Sequence, residues 1–449
     1  MLNRLFPPRI LSLLGGVAAL ACSLLPSPAT AAVTVRWLTL SDDLWPDCAK
    51  KVIAGFEAKN PDIKVEMDNY PFRQLFETIE VRMKAQDADV DLISVDVPLV
   101  ASYSVRGYLA PLDAYFTPDE LASTWVASSK QAGTYQGKFL AAPQNNSAQF
   151  MYVNLDLFQK AGLTPPACLV ADEPVTPEKV AAIADKDRWT WEQVVEAAKK
   201  LTKTGPEGQV WGMEFDQVSR LYQLQALGES LGGQLVSPDG LKATGYFDSD
   251  AWKKAAKWYW SLFNDWKVSP KGVPPGETAN QFAANKVGLL IGGEWNISTF
   301  KKAGIKFGIA PHPYFSGGKP ATGTGSWHLG LNKASKNKEA AAKFLHYITA
   351  DDEGSRIWFE TRGQLPATQK LLTAIDQLPQ YQVFPEGAYR LGVYEARHTA
   401  VPRPQTPGYL QLEDIFASTF EDIRNGSDPN EALPAGARRV DRFLAQFRK

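Results

Sequence analysis

The first hundred residues after the N-terminal segment alternate between short apolar stretches and longer amphipathic ones. Residues 33–40, 63–67 and 90–95 are short and rich in β-branched and other apolar side chains, so they predict strands. Between them, residues 47–60 and 75–83 carry apolar side chains at helical spacing and predict amphipathic helices. Strand–helix–strand order is that of βαβ units, so we expect an α/β fold built on a mostly parallel sheet.

The pattern changes over residues 137–153. Two strand-like stretches there flank the polar run 144–147, which could carry the chain from one folded unit to the next. Thr190 and Gln193 form a capping box and predict a helix start, whereas the proline-rich residues 163–188 predict a surface insertion with a short helix. Further strands are predicted at 211–215, 287–291, 306–310 and 327–331, and further helices at 154–161, 221–231, 252–266, 337–349, 410–423 and 431–447.

The N-terminus has the three parts of a secretory signal. Arginines precede an apolar run over 10–25, and prolines then lead into Ala29-Thr30-Ala31, an A-x-A cleavage motif. The apolar run has roughly 16 residues, fewer than the ~20 that a membrane-spanning helix needs. We therefore expect residues 1–31 to be a signal peptide and the protein to be periplasmic. A lipoprotein anchored through Cys22 is the alternative.

Length and charge limit the classes of protein that fit. The chain after residue 31 exceeds the ~250–300 residues at which a single core stops growing, so two lobes are expected. Nucleic acid is a poor partner, because 48 Lys and Arg nearly balance 49 Asp and Glu with no basic block. Cys48 and Cys168 are the cysteines outside the signal, and the sequence leaves open whether they pair. With four scattered His and no C-x-x-C, no metal or other cofactor is expected.

Polar side chains follow the first three predicted strands where each strand ends. Asp42 and Asp43 come just after the first strand. Arg73 comes soon after the second strand, and Asp96 directly follows the third. Ligands of α/β sheets bind in the crevice at the carboxyl ends of the strands. Carboxylates accept hydrogen bonds from vicinal hydroxyls and Arg donates them, so this edge favours a hydroxyl-rich ligand; a solvated surface charge is the alternative at each position.

Two of the 13 tryptophans stand apart from the rest. Most are expected to pack in cores. Trp295 and Trp327 instead lie beside glycines at the ends of predicted strands, in the segments 292–295 and 325–327. Because glycine leaves the surrounding backbone open, one indole face can stay uncovered for the C–H face of a sugar. We predict that both rings contact a ligand.

A set of segments carries a resemblance to a known family. They are 56–65 (FEAKNPDIKV), 91–96 (DLISVD), 107–113 (GYLAPLD), 325–327 (GSW), 332–341 (NKASKNKEAA) and 363–367 (GQLPA). With these segments the chain resembles the extracellular solute-binding proteins that serve carbohydrate ABC importers, near the maltose/trehalose-type receptors. The resemblance runs over nearly the whole chain after the signal, and the segments are specific as a set rather than singly.

The resemblance implies an α/β, two-lobe periplasmic binding protein fold with discontinuous domains and a hinge. Residues 32–144 and 306–362 would form the first lobe. Residues 145–305 and 363–449, the latter with C-terminal helices, would form the second. The two lobes would close around one sugar.

The resemblance also implies which residues bind the ligand. These are Asp42 or Asp43, Arg73 and Asp96 as hydrogen-bonding groups of the first lobe, Asn145, Asn146 and Ser147 at the first hinge crossing, Trp295 as a stacking platform of the second lobe, Gly325, Ser326 and Trp327 at the cleft wall, and Arg403 as a ligand-reaching arginine. Many relatives carry Asp where this chain has residues 145–147. That departure points to a different hydroxyl-binding pattern.

The expected function is that of the substrate-binding component of an ABC importer. Such a protein would act as a monomer, capture a mono- or oligosaccharide or a sugar derivative, and deliver it to the membrane permease. The runner-up is a receptor for a phosphorylated or anionic polyol, such as glycerol phosphate esters, with Arg73, Arg403 and His328 converging on the anion. The rival from another class is a secreted glycan-cleaving enzyme, but the sequence has no spacing that fixes a carboxylate pair and no G-x-S-x-G, H-E-x-x-H or P-loop motif. We therefore do not expect the protein to be an enzyme.

Overall fold

Strands and helices alternate along most of the chain. The structure, a computed structural model, describes residues 32–41, 45–171, 173–206, 208–274 and 277–448. The strands are β1 (Val33–Leu40), β2 (Ile63–Tyr70), β3 (Leu92–Asp96), β4 (Thr134–Tyr135), β5 (Lys138–Phe139), β6 (Ala141–Pro143), β7 (Asn145–Asn146), β8 (Gln149–Asn154), β9 (Lys203–Gly205), β10 (Gly208–Phe215), β11 (Val287–Gly293), β12 (Phe307–Ala310), β13 (Thr322–Thr324), β14 (Trp327–Leu331), β15 (Leu365–Pro366) and β16 (Ala400–Pro402).

The helices fall between these strands and at the C-terminus. They are α1 (Trp45–Lys59), α2 (Phe72–Lys84), α3 (Leu99–Val105), α4 (Pro118–Ser123), α5 (Ala127–Ala132), α6 (Leu155–Ala161), α7 (Pro177–Asp185), α8 (Trp191–Leu201), α9 (Leu221–Ser230), α10 (Asp250–Asn264), α11 (Thr278–Ala283), α12 (Asn296–Ala303), α13 (Lys338–Thr349), α14 (Asp352–Arg362), α15 (Gln369–Ile375), α16 (Ala388–His398), α17 (Tyr409–Asn425) and α18 (Pro429–Leu444). None of the helices in the described ranges combines the length and apolarity needed to cross a membrane.

The first large sheet has the strand order β2-β1-β3-β14-β6. β1 pairs in parallel with β2 and β3, whereas β14 pairs antiparallel with both β3 and β6. The strands predicted at 33–40, 63–67, 90–95 and 327–331 all lie in this sheet. Helices α1, α13 and α14 pack together against it, and Trp37 and Leu92 are fully buried beneath them.

The second large sheet has the order β12-β8-β11-β10-β9. β10 and β11 pair in parallel, and the other neighbours in this sheet are antiparallel. The expectation of a mostly parallel sheet is therefore wrong. The first sheet receives β14 only after the chain has passed through β8 to β12 of the second sheet, and this returning strand runs antiparallel to both of its neighbours.

The chain passes between the two sheets at several separate places. β6 belongs to the first sheet and β8 to the second, so residues 144–148 form one crossing. The short strand β7 in that crossing pairs antiparallel with β15, and β13 pairs in parallel with β16. The predicted return to the first lobe at residue 306 is wrong, because β12 pairs with β8 in the second sheet. The chain rejoins the first sheet only at β14.

The sequence predicted the helix cap at Thr190 correctly but described the segment 163–188 less well. The predicted capping box is present, with the Thr190 side chain accepting from the Gln193 backbone and the Gln193 side chain accepting in return. Residues 163–188 are not a simple surface insertion. Leu169 bridges to Ile309 of β12, and Arg188 is buried with its Nη1 atom 2.8 Å from Glu395 Oε1. No disulfide joins Cys48, in α1, to Cys168, which lies near β12.

Candidate ligand-binding cleft

A cavity of about 540 Å³ lies between the two lobes. Side chains from both lobes and from the crossing segments line it. The lining includes Leu40, Trp45, Phe72, Asp96 and Trp327 beside the first sheet, Asp216, Arg220, Tyr222, Asn280, Trp295, Asn296 and Thr299 beside the second, and Asn145, Ser147, Gly325, Ser326, Arg362, Gln364 and Arg403 around the crossings. Most of the residues expected to bind a ligand are thus brought together.

Of the other four expected site residues, two lie outside the part of the chain that the structure describes and two do not line the cavity. Asp42 and Asp43 lie outside the described residues. Arg73 does not line the cavity, because it follows Phe72 on the first turn of α2 and its guanidinium points to the surface, 3.4 Å from Asp414 Oδ1. Asn146 does not line it either, since its side chain accepts a 2.6 Å hydrogen bond from Ser129 Oγ inside the hinge region.

A buried ion pair joins the two sides of the cleft. Asp96, at the end of β3, receives two hydrogen bonds from Arg403, which directly follows β16. Arg403 Nη1 lies 3.0 Å from Asp96 Oδ2, and only 5% of Asp96 and 6% of Arg403 is exposed. Burial raises the pKa of Asp96, and the facing guanidinium opposes that rise. The Arg403 guanidinium also lies over the rings of Tyr222 and Tyr409, so its position is fixed from three directions.

The first crossing is tied to the cleft wall by side-chain hydrogen bonds. Ser147 Oγ lies 2.8 Å from the Tyr222 hydroxyl and 2.8 Å from the Gly325 carbonyl oxygen, and it accepts from the Gly325 N–H at 3.0 Å. Asn145 Oδ1 accepts from the Trp327 N–H at 2.8 Å, and Asn145 Nδ2 donates to Gln364 Oε1 at 2.6 Å. These polar groups are therefore largely engaged with the protein itself.

Trp327 is held by other aromatic rings. Its half-buried ring stacks on Phe76 at a centroid distance of 6.1 Å and meets the edges of Trp45 and Phe72 at 5.5 and 6.0 Å. Trp45 is itself fully buried, with its Nε1 donating to Thr39 Oγ1 at 2.6 Å. Trp327 thus forms an apolar wall of the cleft on the side of the first sheet.

Trp295 is held by polar groups on the opposite side. Its Nε1 donates to Asp216 Oδ2 at 3.0 Å, and Asn296 Nδ2 donates to the same oxygen at 3.1 Å. Tyr222 contacts the half-buried indole at a centroid distance of 5.9 Å. Burial raises the pKa of Asp216, and the hydrogen bonds from Asn296, Trp295 and Thr278 oppose that rise.

Several lining residues were missed from the sequence. Asp216 directly follows β10, so the strand-end rule that selected Asp96 also applied to it. Trp45 and Tyr222 lie in the first turns of α1 and α9, where no local pattern distinguishes them from core residues. Arg220 reaches the cleft with its guanidinium over the Phe72 ring and its Nη2 2.9 Å from Glu413 Oε1.

His328 does not face the cleft. The side chain is fully buried, with Nδ1 3.1 Å from Ser326 Oγ and Nε2 2.9 Å from the Ser129 carbonyl oxygen. Burial lowers the pKa of His328 to about 4, so the ring is neutral at pH 7. With Arg73 at the surface as well, the expected convergence of Arg73, Arg403 and His328 on an anion is wrong. Within the described residues, no group of three or more His, Cys, Asp or Glu could hold a metal ion.

A sequence model of the bacterial extracellular solute-binding proteins matches residues 46–354, more than half of the chain. The chain belongs to this family. This solute-binding protein is 22% identical to the galactooligosaccharide-binding protein of Bacillus subtilis, over 86% of the chain and 84% of the relative. It is 24% identical to the sn-glycerol-3-phosphate-binding periplasmic protein of Agrobacterium fabrum, over 90% of the chain and 84% of the relative. These relatives are binding proteins rather than enzymes.

Solved structures confirm the two-lobe periplasmic binding protein fold. The solute-binding protein superposes on an ABC substrate-binding protein of Listeria monocytogenes, solved in complex with cycloalternan, with a TM-score of 0.77. The superposition covers 92% of this chain and 99% of the other at 24% sequence identity. At that identity the likeness establishes the fold alone.

Proposed function

We propose that this solute-binding protein captures a saccharide or sugar derivative between its lobes and delivers it to the permease of an ABC importer. One observation carries the proposal: a single cavity combines indole faces from opposite walls, Trp295 and Trp327, with hydrogen-bonding side chains between them. Sugars have both apolar C–H faces and hydroxyl groups, so this combination suits them. The galactooligosaccharide-binding relative and the complex with cycloalternan support the same substrate class.

Ligand-driven closure follows from where the two walls are attached. Trp327 belongs to the first sheet and Trp295 follows β11 of the second, so a ligand that touches both rings bridges the lobes. A ligand shifts an open–closed equilibrium only by its difference in affinity for the two forms. Contacts to both walls exist only in the closed form, which is the form that we propose the permease recognises.

The same reasoning argues against an anionic polyol as the main substrate. The glycerol-phosphate-binding relative favours that candidate. Two of the three arginines that line the cavity already face carboxylates, however: Arg403 pairs with Asp96 and Arg220 with Glu413. An incoming phosphate would compete with these ion pairs, whereas a neutral sugar could leave them intact.

Calorimetry and small-angle scattering with a ligand panel test the proposal. The panel is maltotriose, a galactooligosaccharide mixture, mannitol and sn-glycerol-3-phosphate. We expect at least one saccharide to bind and to reduce the radius of gyration, and Trp295→Ala to weaken that binding. Trp260→Ala is the matched control, because Trp260 is also half-buried but lies on α10 outside the cavity lining.

Other outcomes would decide against the proposal. Binding of sn-glycerol-3-phosphate alone would establish the anionic candidate instead. Binding of no saccharide, or binding without compaction, would contradict capture between the lobes. Turnover of chromogenic glycosides would contradict our proposal that the protein is a receptor and not an enzyme.

We further propose that the receptor acts as a monomer in the periplasm after removal of residues 1–31. The family is extracellular, which supports export. Intact mass spectrometry of the protein recovered from the periplasm should give an N-terminus near Ala32, and light scattering should give the mass of one chain. A lipid-modified N-terminus at Cys22 would contradict this localisation.

A further inference from the structure

The cleft carboxylate of Asp216 has most of its hydrogen-bonding capacity occupied by the protein. Oδ2 accepts from Trp295 Nε1 at 3.0 Å and from Asn296 Nδ2 at 3.1 Å, while the Thr278 hydroxyl is shared between Oδ1 at 3.2 Å and the Asp216 carbonyl oxygen at 2.7 Å. Only 5% of Asp216 is exposed. A carboxylate offers about four acceptor positions. Side chains of the same lobe therefore fill two of those positions, and the shared Thr278 hydroxyl partly fills a third.

Neighbouring backbone also restricts the orientation of the Trp295 indole. A Cβ atom at Gly293 would overlap the Trp295 ring, and a Cβ at Gly292 would lie 2.7 Å from Asn296 Nδ2. The two glycines at the end of β11 thus let both side chains fold back toward Asp216. Tyr222 contacts the ring on another side, with the two planes inclined at 43°.

These contacts leave the indole a single orientation. The backbone at Gly293 blocks one face, Tyr222 limits the tilt of the ring, and the hydrogen bond to Asp216 fixes its rotation about the bond to Cβ. A buried carboxylate is costly unless it is hydrogen-bonded or paired with a charge. The side chains that donate to Asp216 (Trp295, Asn296 and Thr278) are all neutral, so this acid gains less stabilisation than an ion-paired acid would. An apolar residue would fill this place at lower cost, which points to a role other than stability.

We infer that Asp216 is a positioning residue that sets the orientation of the Trp295 indole and, through that ring, the affinity of the cleft for its saccharide. The inference rests on the proposed function, since it assigns how one wall of the same cleft is held. It differs from a direct role for Asp216 in binding hydroxyl groups, because the effect of Asp216 should pass through Trp295.

A double-mutant cycle separates these two roles. The variants are Asp216→Ala, Trp295→Phe and the two combined, measured by calorimetry with the panel saccharide that the wild type binds most tightly. A hydrogen bond to a charged group contributes enough to change affinity about tenfold, so we expect that loss for Asp216→Ala. In the Trp295→Phe background, which has no indole N–H, the same substitution should weaken binding less than about twofold.

Two further variants serve as controls for the cycle. Asp216→Asn retains one oxygen acceptor and should recover binding to within about threefold of the wild type. Glu214→Gln is the matched control, because Glu214 is a buried acid two positions earlier on β10 that does not line the cavity. The affinity of this variant for the saccharide should equal that of the wild type. Asp216→Asn also keeps the test interpretable should the alanine variant fail to fold.

A measurement without ligand tests the orientation itself. In ¹⁵N-tryptophan-labelled protein, the Trp295 indole resonance is identified by its loss in Trp295→Phe. Its N–H should exchange slowly with solvent in the wild type and faster in Asp216→Ala.

The outcomes distinguish this inference from the proposed function. An equal loss of affinity in both backgrounds, or an unchanged exchange rate of the Trp295 indole N–H in Asp216→Ala, would overturn the positioning role while leaving saccharide capture intact. If the wild type binds no saccharide, the proposed function fails and the link to affinity fails with it. The indole exchange rate would then still report whether Asp216 holds the ring.

Discussion

The two tryptophan walls of the cleft are alike in sequence and different in construction. Both Trp295 and Trp327 lie beside glycines at a strand end. Trp327 is then packed among Phe72, Phe76 and Trp45 beside the first sheet, whereas Trp295 is anchored by hydrogen bonding beside the second. The same local pattern can thus support an indole by dispersion contacts or by a buried acid.

That difference has consequences for how each wall responds to change. Aromatic packing is distributed over several rings and does not depend on ionisation. The Trp295 indole is instead held by one acid, Asp216, and the strength of that hydrogen bond depends on the charge of the acid and on its other partners. The wall of Trp327 should therefore contribute more to stability, and the wall of Trp295 should respond more to single polar substitutions. Four experiments examine this contrast, beginning with the ion pair that connects the walls.

Asp96→Ala should have the largest effect on stability. It leaves the Arg403 guanidinium buried without its carboxylate partner, and breaking a buried pair in this way costs about 3–5 kcal/mol. Urea denaturation should show that loss in the free energy of unfolding. Removing both charges, in Asp96→Leu with Arg403→Met, should recover much of it. A loss below about 1 kcal/mol for Asp96→Ala would mean that the lobes are not held together at this point.

Trp327→Ala should destabilise the protein more than Trp295→Ala. Truncating a large aromatic side chain within a packed cluster costs about 3 kcal/mol or more, whereas Trp295 loses one hydrogen bond and fewer ring contacts, about 1–2 kcal/mol. Paired urea titrations of the two variants measure the difference in unfolding free energy. Equal losses would remove the distinction between a packed wall and an anchored wall.

The two walls should show opposite dependence on pH. Burial raises the pKa of Glu294, beside Trp295, to about 8, and the Ala148 N–H opposes that rise. Because the unfolded chain releases this proton nearer pH 4.5, the folded state loses stability as pH rises from there to 8. His328, beside Trp327, has its pKa lowered by burial to about 4 from 6.5, so the folded state loses stability as pH falls through that range.

Single variants isolate each of these titrations. Glu294→Gln should flatten the fall in stability between pH 4.5 and 8, and His328→Gln should flatten the fall as pH drops from 6.5 to 4, each by about 1 kcal/mol per pH unit within its range. Urea midpoints measured from pH 4 to 9 for both variants and the wild type give the slopes. If Glu294→Gln leaves the slope between pH 4.5 and 8 unchanged, this acid is not held protonated in the folded protein.

Ser147→Ala should have the smallest effect of the four. It removes the hydroxyl that links Tyr222 to the Gly325 backbone, worth about 1 kcal/mol of stability. Thermal unfolding should detect a small decrease in Tm. Because Ser147 lies in the crossing rather than on either wall, the stability difference between Trp327→Ala and Trp295→Ala should persist in the Ser147→Ala background.

The sequence predicted the strand ends well and the helix faces poorly. Asp96, Trp295 and Trp327 were found because a strand's end and its glycines are visible in a short window. Phe72 faces the cleft where Arg73 was expected, since successive helix positions differ by about 100° and the sequence does not fix the phase. Tyr222 reaches the site through a contact with Ser147 across 75 positions, which no local pattern encodes.

The two-lobe fold was predictable from resemblance, but the place of one strand was not. The resemblance placed β12 in the first lobe, and the apolar sequence of this strand fits either sheet equally well. Its pairing with β8 depends on Phe307 and Ile309 filling the core of the second lobe. The sheet that β12 joins is therefore determined by the core against which it packs rather than by its own sequence.

The position of β14 also has a consequence for biosynthesis. This strand is inserted between β3 and β6, although about 230 residues separate it from the first of them. A growing chain therefore exposes the unpaired edges of both strands until residue 331 has been made. Most of the second lobe is translated in the interval, so the lobe that is begun first is completed after its neighbour's sheet.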